Sequence, residues 1–543
     1  MATYYIGTEG TDDVGRNGGI GQEWKTLSYA CTRVTTIGDI IHINAGTYTE
    51  TAQSSLSVGV SIEGDGDTSI LTSAAALDPM ILLSSGAEGT DGNQSISYIK
   101  IDGDLVVVEG IRVLARKNVT IHHITVIDCL EVGAYINGRT SVTDNVATIY
   151  ATGNSIHDSV FTNCGYDYYN SGANAYWAIG ACFQINSQHG FLGYNNVLDN
   201  ITGGRYCYTI RGQHQKGTKI YNNHLSTSIR NETGRMAYSF AIEWWTGHGG
   251  VEVYDNVTTG GIDFGGYGWD DSAGYGFAIK CYRNIIALTN QLPYNSGYNG
   301  EAGIVIESGS SGGVYVYRNY IANFSQGFSL SVTAASLVVG HTNVWFYYNI
   351  MSNIGYTDHG SGAGIGGYAI NDAINVNKPM SNIYYLNNVI HKSTKTSGWG
   401  IVYEYSLANR LVWSNFNIKN NIIYNCYSPV MIEYQDIAGL HVDNNIFYEQ
   451  TNSDTVSVGN GTITDFTENN NQASTNPLFV GGSPYDYHLQ ESSPAIASGI
   501  TTDVLREGDY FGNSWNDPPS IGACEYYENI HIPYVRLKKW SKI

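Results

Sequence analysis

The chain has 543 residues and a formal net charge of −21, with 48 Asp and Glu against 27 Lys and Arg. Such an acidic surface repels nucleic acid and anionic membranes, and it disfavours an anionic polymer as substrate unless calcium or a local basic patch intervenes. With 64 Gly, 42% hydrophobic residues and 14% charged ones, the chain can bury a core and must turn often, which argues against disorder.

Residues 1–57 read as an N-terminal cap and first coil. Gly-rich turns lead to Trp24-Lys-Thr-Leu27, a short helix-like stretch to Val34, and then Gly38-Asp-Ile-Ile-His-Ile-Asn-Ala-Gly46-Thr-Tyr48. Met1-Ala-Thr3 runs straight into the strand-like Tyr4-Tyr-Ile6 without the apolar core of a signal peptide. An extracellular or virion-associated protein would therefore have lost its leader or left its cell by another route, such as lysis. No apolar run is long enough to span a bilayer. The eight cysteines (31, 129, 164, 182, 207, 281, 426 and 524) stand singly, several of them inside apolar runs. They read as small buried hydrophobes rather than bridges or metal ligands.

From 58 to 470 apolar and polar residues alternate, as in Val58-Gly-Val-Ser-Ile-Glu-Gly64 and Ile99-Lys-Ile-Asp-Gly103, and no long stretch holds a 3.6-residue period. The chain is all-β by this reading. A phrase of the form Tyr-x-Asn-x-apolar recurs from Tyr194 onward, with Leu386, Lys419 and Asp443 in place of Tyr in the last three copies, anchored on Asn196, Asn223, Asn256, Asn284, Asn319, Asn349, Asn388, Asn421 and Asn445, about every 31 residues. Solenoids and propellers both repeat at that length. A propeller blade needs four strands joined by hairpin turns, whereas here short strands are split at single Asn or Gly positions by loops of very unequal length. That pattern predicts a parallel β-helix. Its asparagine amides would hydrogen-bond along the axis, each Asn tolerating a left-handed corner, and its tyrosines would stack from coil to coil. Residues 471–526 read as a C-terminal segment capping the open end, and 527–543 as a basic tail with Arg536, Lys538, Lys539 and Lys542.

The segment from Trp24 to Tyr48, together with Asn476-Pro-Leu-Phe-Val480, Asp486-Tyr-His-Leu489, Ser493-Pro-Ala-Ile496 and Ile521-Gly-Ala-Cys-Glu525, resembles the right-handed parallel β-helix proteins of the pectate-lyase-like superfamily. The resemblance covers nearly the whole chain. It implies a single-stranded right-handed parallel β-helix of roughly a dozen coils with capped ends. It also implies action on polysaccharide, and a homotrimer in the manner of phage tailspikes. Architecture alone does not select among the lyases, hydrolases, esterases, epimerases and tailspikes of that group.

Candidate chemistry concentrates between Arg205 and Glu307. Tyr208-Thr-Ile-Arg211, Phe240-Ala-Ile-Glu243, Gly260-Gly-Ile-Asp263 and Ile304-Val-Ile-Glu307 each end in isoleucine followed by a charge. With isoleucine inward the next side chain points out, so these four predict a polar ladder on one solvent-facing surface. Coils rise by about 4.8 Å. Glu243 and Asp263 would then lie about 5 Å apart, as in retaining glycosidases, and Glu243 and Glu307 about 10 Å apart, toward the inverting range. Crowded carboxyls raise at least one pKa, as a general acid requires. Glu243, Asp263 and Glu307 are therefore the candidate catalytic residues.

Arg211, Trp244, Trp245, Tyr267, Trp269, Asp270 and Asp271 are the candidate substrate-binding set: aromatic faces suit pyranose rings and carboxylates suit hydroxyls. Another aromatic insertion, Tyr166 to Trp177, would form a groove wall. Asp270-Asp271 reads equally as a catalytic pair, a calcium site or a loop cap. No metal site and no cofactor are assigned, calcium being the one alternative. A lyase would need Arg, Lys or His, with or without calcium. Arg205, Arg211, Lys280, Arg283, His214 and His248 are near in sequence but form no tight basic cluster. The expectation is an extracellular polysaccharide depolymerase, hydrolase before lyase, either a phage tail enzyme or a secreted bacterial glycosidase. Its partner would be a polysaccharide, with no nucleic acid and no membrane. A non-catalytic glycan-binding adhesin or receptor-binding protein is the contrasting expectation.

Overall fold

A computed structural model gives the structure of the chain. It describes residues 1–140, 149–165, 180–200, 207–227, 240–288 (apart from 267 and 273), 302–331 (apart from 308 and 325), 340–355, 370–371, 380–392, 398–404, 412–433 and 436–528 (apart from 460, 482–485 and 505–507). The insertion from Tyr166 to Trp177, Tyr267, Arg205 and the basic residues of the tail lie outside the described residues.

The chain divides into two compact units, one of residues 1–230 and 237–247, the other of residues 231–236 and 248–543. In each, successive strands pass through three parallel sheets, and each strand pairs with its counterpart one turn later. In the first unit Leu192–Tyr194, Val197–Asn200 and Cys207–Lys216 make one coil, paired with Lys219–Tyr221, His224–Thr227 and Phe240–Thr246 of the next as Leu192 to Lys219, Val197 to His224 and Ile210 to Ile242. In the second, Ile279–Tyr282, Ile285–Ala287 and Ala302–Glu307 do the same. The parallel β-helix expected from the sequence is the fold. Sheets within each unit hold seven or eight strands, more coils than the asparagine period indicated, because the turns before Asn196 carry no Tyr-x-Asn phrase.

The core is the inward set of each strand. Ile111, Ala134, Phe183, Ile210 and Ile242 in the first unit, and Ile262, Ile304, Phe328 and Ile401 in the second, are all 0% exposed. Beside them runs the asparagine ladder. In the second unit the N–H of Asn256 donates to Oδ1 of Asn284 at 3.1 Å, and the pattern repeats through Asn319, Asn349, Asn388, Asn421 and Asn445 to Asn471. Each amide also donates to a backbone carbonyl, as Asn284 Nδ2 does to Val253 at 2.9 Å. In the first unit Ser159 takes the corresponding place below Asn196 and Asn223. The left-handed corner belongs to the residue before each ladder asparagine, even where that residue is Arg283, Arg318 or Tyr348, each at φ 54°. The ladder holds this corner because it satisfies the buried N–H that follows. Tyrosines stack outside it as expected, Tyr254 on Tyr282 at 4.9 Å and Tyr282 on Tyr317 at 4.8 Å. The seven described cysteines are free and buried.

The closing segment lies along the flank of the second unit. Tyr487, Leu489, Ala495, Ile521 and Ala523 pack on Ile350, Val389, Ile422 and Ile446, which start second-sheet strands of four coils. The last strand of the first sheet, Ile463–Asn469, is largely exposed, and Phe466 is 42% exposed. Through these residues the segment clasps the side of the coils.

Candidate functional site

The third sheet of the first unit carries an outward row set by strand register. Arg112 stands level with Tyr135, Tyr135 with Gln184, Gln184 with Arg211 and Arg211 with Glu243. Two residues further along, Asn137, Asn186 and Gln213 form a second row. A shift between Gly212 and Gln213 ends that row at the strand Phe240–Thr246. The inward neighbours in the first row, and Ile136, Ile185 and Gly212 beside the second, are apolar or glycine, so these polar side chains point out of the coil. They are nonetheless shielded: Tyr135 is 5% exposed, Asn137 2%, Asn186 5%, Arg211 9%, Gln213 1% and Glu243 6%. The expected direction is correct and the expected open water is not.

Glu243 is held from two sides. Arg211 Nε donates to its Oε2 at 3.1 Å and Tyr208 Oη to its Oε1 at 3.0 Å. Burial pushes its pKa up, while the Arg211 charge and the hydrogen bonds from Tyr208 and Arg211 pull against that rise. Within its own unit Glu243 thus stands level with a guanidinium rather than a second carboxylate. Tyr135 Oη accepts from Nδ2 of Asn137 at 3.1 Å and of Asn186 at 3.0 Å. Tyr135, Asn137, Gln184, Asn186 and Gln213 escaped the sequence reading. Their signal was present in Ala134-Tyr-Ile-Asn137 and Phe183-Gln-Ile-Asn186, the same inward–outward alternation without a charge to draw notice.

Two expected sugar platforms are core residues. Trp244 follows outward Glu243, so it points inward; it is 0% exposed and lies under Gly212, whose place on the neighbouring strand leaves room for the ring. Trp269 is also 0% exposed, edge-on to Phe264 at 5.7 Å, with Nε1 donating to Gly265 O at 3.3 Å. Trp245 points the other way from Trp244 and is half-buried. Asp270 and Asp271 close their own loop: Asp270 Oδ1 accepts from Ser272 N, and both Asp271 oxygens accept from Gly276 N, each at 2.9 Å. Of their three readings, the loop cap accounts for these bonds. Among the described residues no group of three or more His, Cys, Asp or Glu could hold a metal ion.

In the second unit Ile262 pairs with Ile304, which sets Asp263 level with Val305. Glu307, level with Ser331, lies one two-residue step further along the same outward face. The repeated isoleucine-then-charge phrase slipped by two residues here, because Ile304 and not Ile306 is the partner of Ile262. Asp263 and Glu307 are therefore diagonal neighbours on adjacent strands, with backbones about 7–8 Å apart. Asp263 is 4% exposed and Glu307 is partly open.

Several cations named for elimination chemistry are engaged. Arg283 donates to Asp255 at 2.9 and 2.6 Å and lies over the Tyr282 ring, and Lys280 sits 4.1 Å over the Phe277 ring. No helix among the described residues is long and apolar enough to cross a membrane.

No protein-family description matches the chain, and no curated protein sequence does. Solved structures resemble it in fold. One is the catalytic unit of a thermostable GH87 alpha-1,3-glucanase from Streptomyces thermodiastaticus, at 10% identity and TM-score 0.41 over 83% of this chain and 67% of that one. Another is ORF18 of Geobacillus virus E2, at 11% identity and TM-score 0.35 over 70% and 61%, so this chain spans less than two thirds of that protein. A third is a mannuronic acid-specific polysaccharide family 6 lyase from the human gut microbiota, at 15% identity and TM-score 0.41 over 77% and 86%. Likeness at this level carries no argument about chemistry.

Proposed function

We propose that this chain binds and cleaves a polysaccharide, by hydrolysis, outside the cell. The observation that carries cleavage is the diagonal placement of Asp263 and Glu307 on adjacent strands of one rigid sheet. A backbone separation of about 7–8 Å, adjusted by side-chain reach, suits the wider carboxyl spacing of inverting glycosidases, about 6.5–9.5 Å, which leaves room for a water. Glu307, the more open of the two, is the base that activates water. Asp263, the more shielded, is the acid that protonates the leaving oxygen. The engagement of Arg211, Arg283 and Lys280 favours this reading over a lyase, which would need a cation to neutralise a uronate and a base to take its proton.

The test is product analysis on a panel of neutral and acidic glycans. Hydrolysis releases reducing ends without an unsaturated product, and the fresh product has inverted anomeric configuration. Asp263→Asn and Glu307→Gln should each lower kcat by at least about 100-fold while binding survives. Full activity in either variant removes that residue from the mechanism. An ultraviolet-absorbing unsaturated product would establish a lyase, and binding without turnover an adhesin.

A further inference from the structure

Two buried polar atoms in the outer row of the first unit have no partner among the described residues. Asn186 Oδ1 and Gln213 Nε2 make no hydrogen bond there, although their residues are only 5% and 1% exposed. The two residues stand level on adjacent strands, about 4.8 Å apart. Asn186 cannot relieve its acceptor by swivelling without losing the bond from its Nδ2 to Tyr135 Oη. An unmet buried donor beside an unmet buried acceptor is costly to the fold, and the cost is removed when a ligand supplies the complements.

We propose that Asn186 and Gln213 form a subsite for one neutral sugar residue, held by two adjacent hydroxyls. One hydroxyl donates to Asn186 Oδ1, and its neighbour accepts from Gln213 Nε2. An acetamido group fits less well, because its N–H and C=O point in opposite directions across a trans amide. A uronate carboxylate fits poorly, since it would face Asn186 Oδ1 with no proton to give, and the nearby Arg211 already bonds Glu243. The proposal rests on the polysaccharide reading above and narrows it to glycans rich in neutral residues.

The experiment is affinity electrophoresis and glycan-array binding of the full chain on neutral and uronate-containing polysaccharides, with melting curves alongside. Wild type should be retained by neutral glycans. Gln213→Glu, similar in size but without the donor, should weaken that binding about tenfold or more. Asn186→Leu should do likewise while keeping or raising the melting temperature, since it removes an unmet buried acceptor. Retention on uronate polymers alone, no retention on any neutral glycan, or unchanged binding in both folded variants would overturn the assignment. Turnover by wild type, measured beside binding, separates the two claims. Neutral-glycan binding that depends on Asn186 and Gln213, combined with wild-type protein that cleaves nothing, would end the hydrolase reading and leave this subsite standing.

Discussion

Arg211 and Glu243 occupy the same rung position on neighbouring strands, and their side chains meet with Nε 3.1 Å from Oε2. The contact joins two consecutive coils at a point where both groups are shielded from water. A buried pair of this kind contributes little net stability relative to apolar replacements, but removing one partner strands the other. It therefore fixes which groups meet on this face more than it holds the coil together.

Arg211→Met should lower unfolding free energy by about 3–5 kcal/mol in urea titration, because the Glu243 carboxylate loses its counter-charge. The double variant Arg211→Met with Glu243→Met should recover most of that loss. An additive double variant would show that the two side chains act independently in solution.

Glu243 also predicts a pH signature. Its folded pKa is raised, mainly by burial, so between the unfolded and folded values the native state holds a proton that the unfolded chain has released. Stability from this group is complete below the unfolded carboxylate pKa and is lost as pH rises through the folded value. The stability of wild type minus that of Glu243→Gln should therefore be flat in acid and fall as pH rises through that window. A difference that rises with pH would mean that Arg211 and Tyr208 outweigh desolvation.

The asparagine ladder gives a purely structural prediction. Asn349 Oδ1 accepts from the backbone N–H and the side chain of Asn319, and its own Nδ2 donates to Val316 O. Asn349→Ala leaves those buried groups unmet and should cost about 2–4 kcal/mol at about 1–3 kcal/mol per stranded group. Ser453→Ala, at an exposed position, should change stability by less than about 0.5 kcal/mol. Equal effects at both sites would remove the ladder's special standing.

These contrasts explain what could be read from the sequence alone. The ladder was legible because it repeats the same residue at the same place in successive coils from Asn196 to Asn445, which announced both fold and period. The direction of Arg211, Glu243 and Asp263 was legible from strand alternation. Burial was not, because it depends on what covers a face, and alternation only says which face. Register was not legible at Glu307, since Ile304-Val-Ile306 offers two isoleucines to pair with Ile262 and only packing chooses. Trp244 and Trp269 look like sugar platforms in a one-dimensional string. A bare count from Glu243 would have sent Trp244 inward, whereas Trp269 needed coordinates.

Gly212 and Trp244 test that inward assignment. A β-carbon at Gly212 would lie 2.2 Å from the Trp244 ring, so Gly212→Ala should destabilise by about 1–3 kcal/mol through overpacking. Trp244→Leu should partly relieve Gly212→Ala in the double variant, because the smaller side chain vacates the space. Neither change should alter the range of glycans bound. A change in glycan preference for Trp244→Leu at temperatures where it stays folded would return this tryptophan to the binding surface.

His391 ties the closing segment to the coils and should make that clasp sensitive to acid. Its Nδ1 lies 2.9 Å from Tyr487 Oη, which donates to Ser352 Oγ at 2.7 Å, and its ring stacks on Tyr424 at 4.1 Å. Burial pushes its pKa down to about 4 against the pull of Glu449. The native state thus excludes a proton that the unfolded chain takes up near the ordinary histidine value of about 6.5. The associated stability is fully present above that value and is lost as pH falls toward the folded pKa, by about 3 kcal/mol across the window. His391→Gln, which cannot take up a proton, should flatten the stability profile between those limits, and hydrogen exchange should show the segment around Tyr487 opening first in wild type as pH drops. An unchanged pH profile in His391→Gln would mean that this histidine is not the group that titrates.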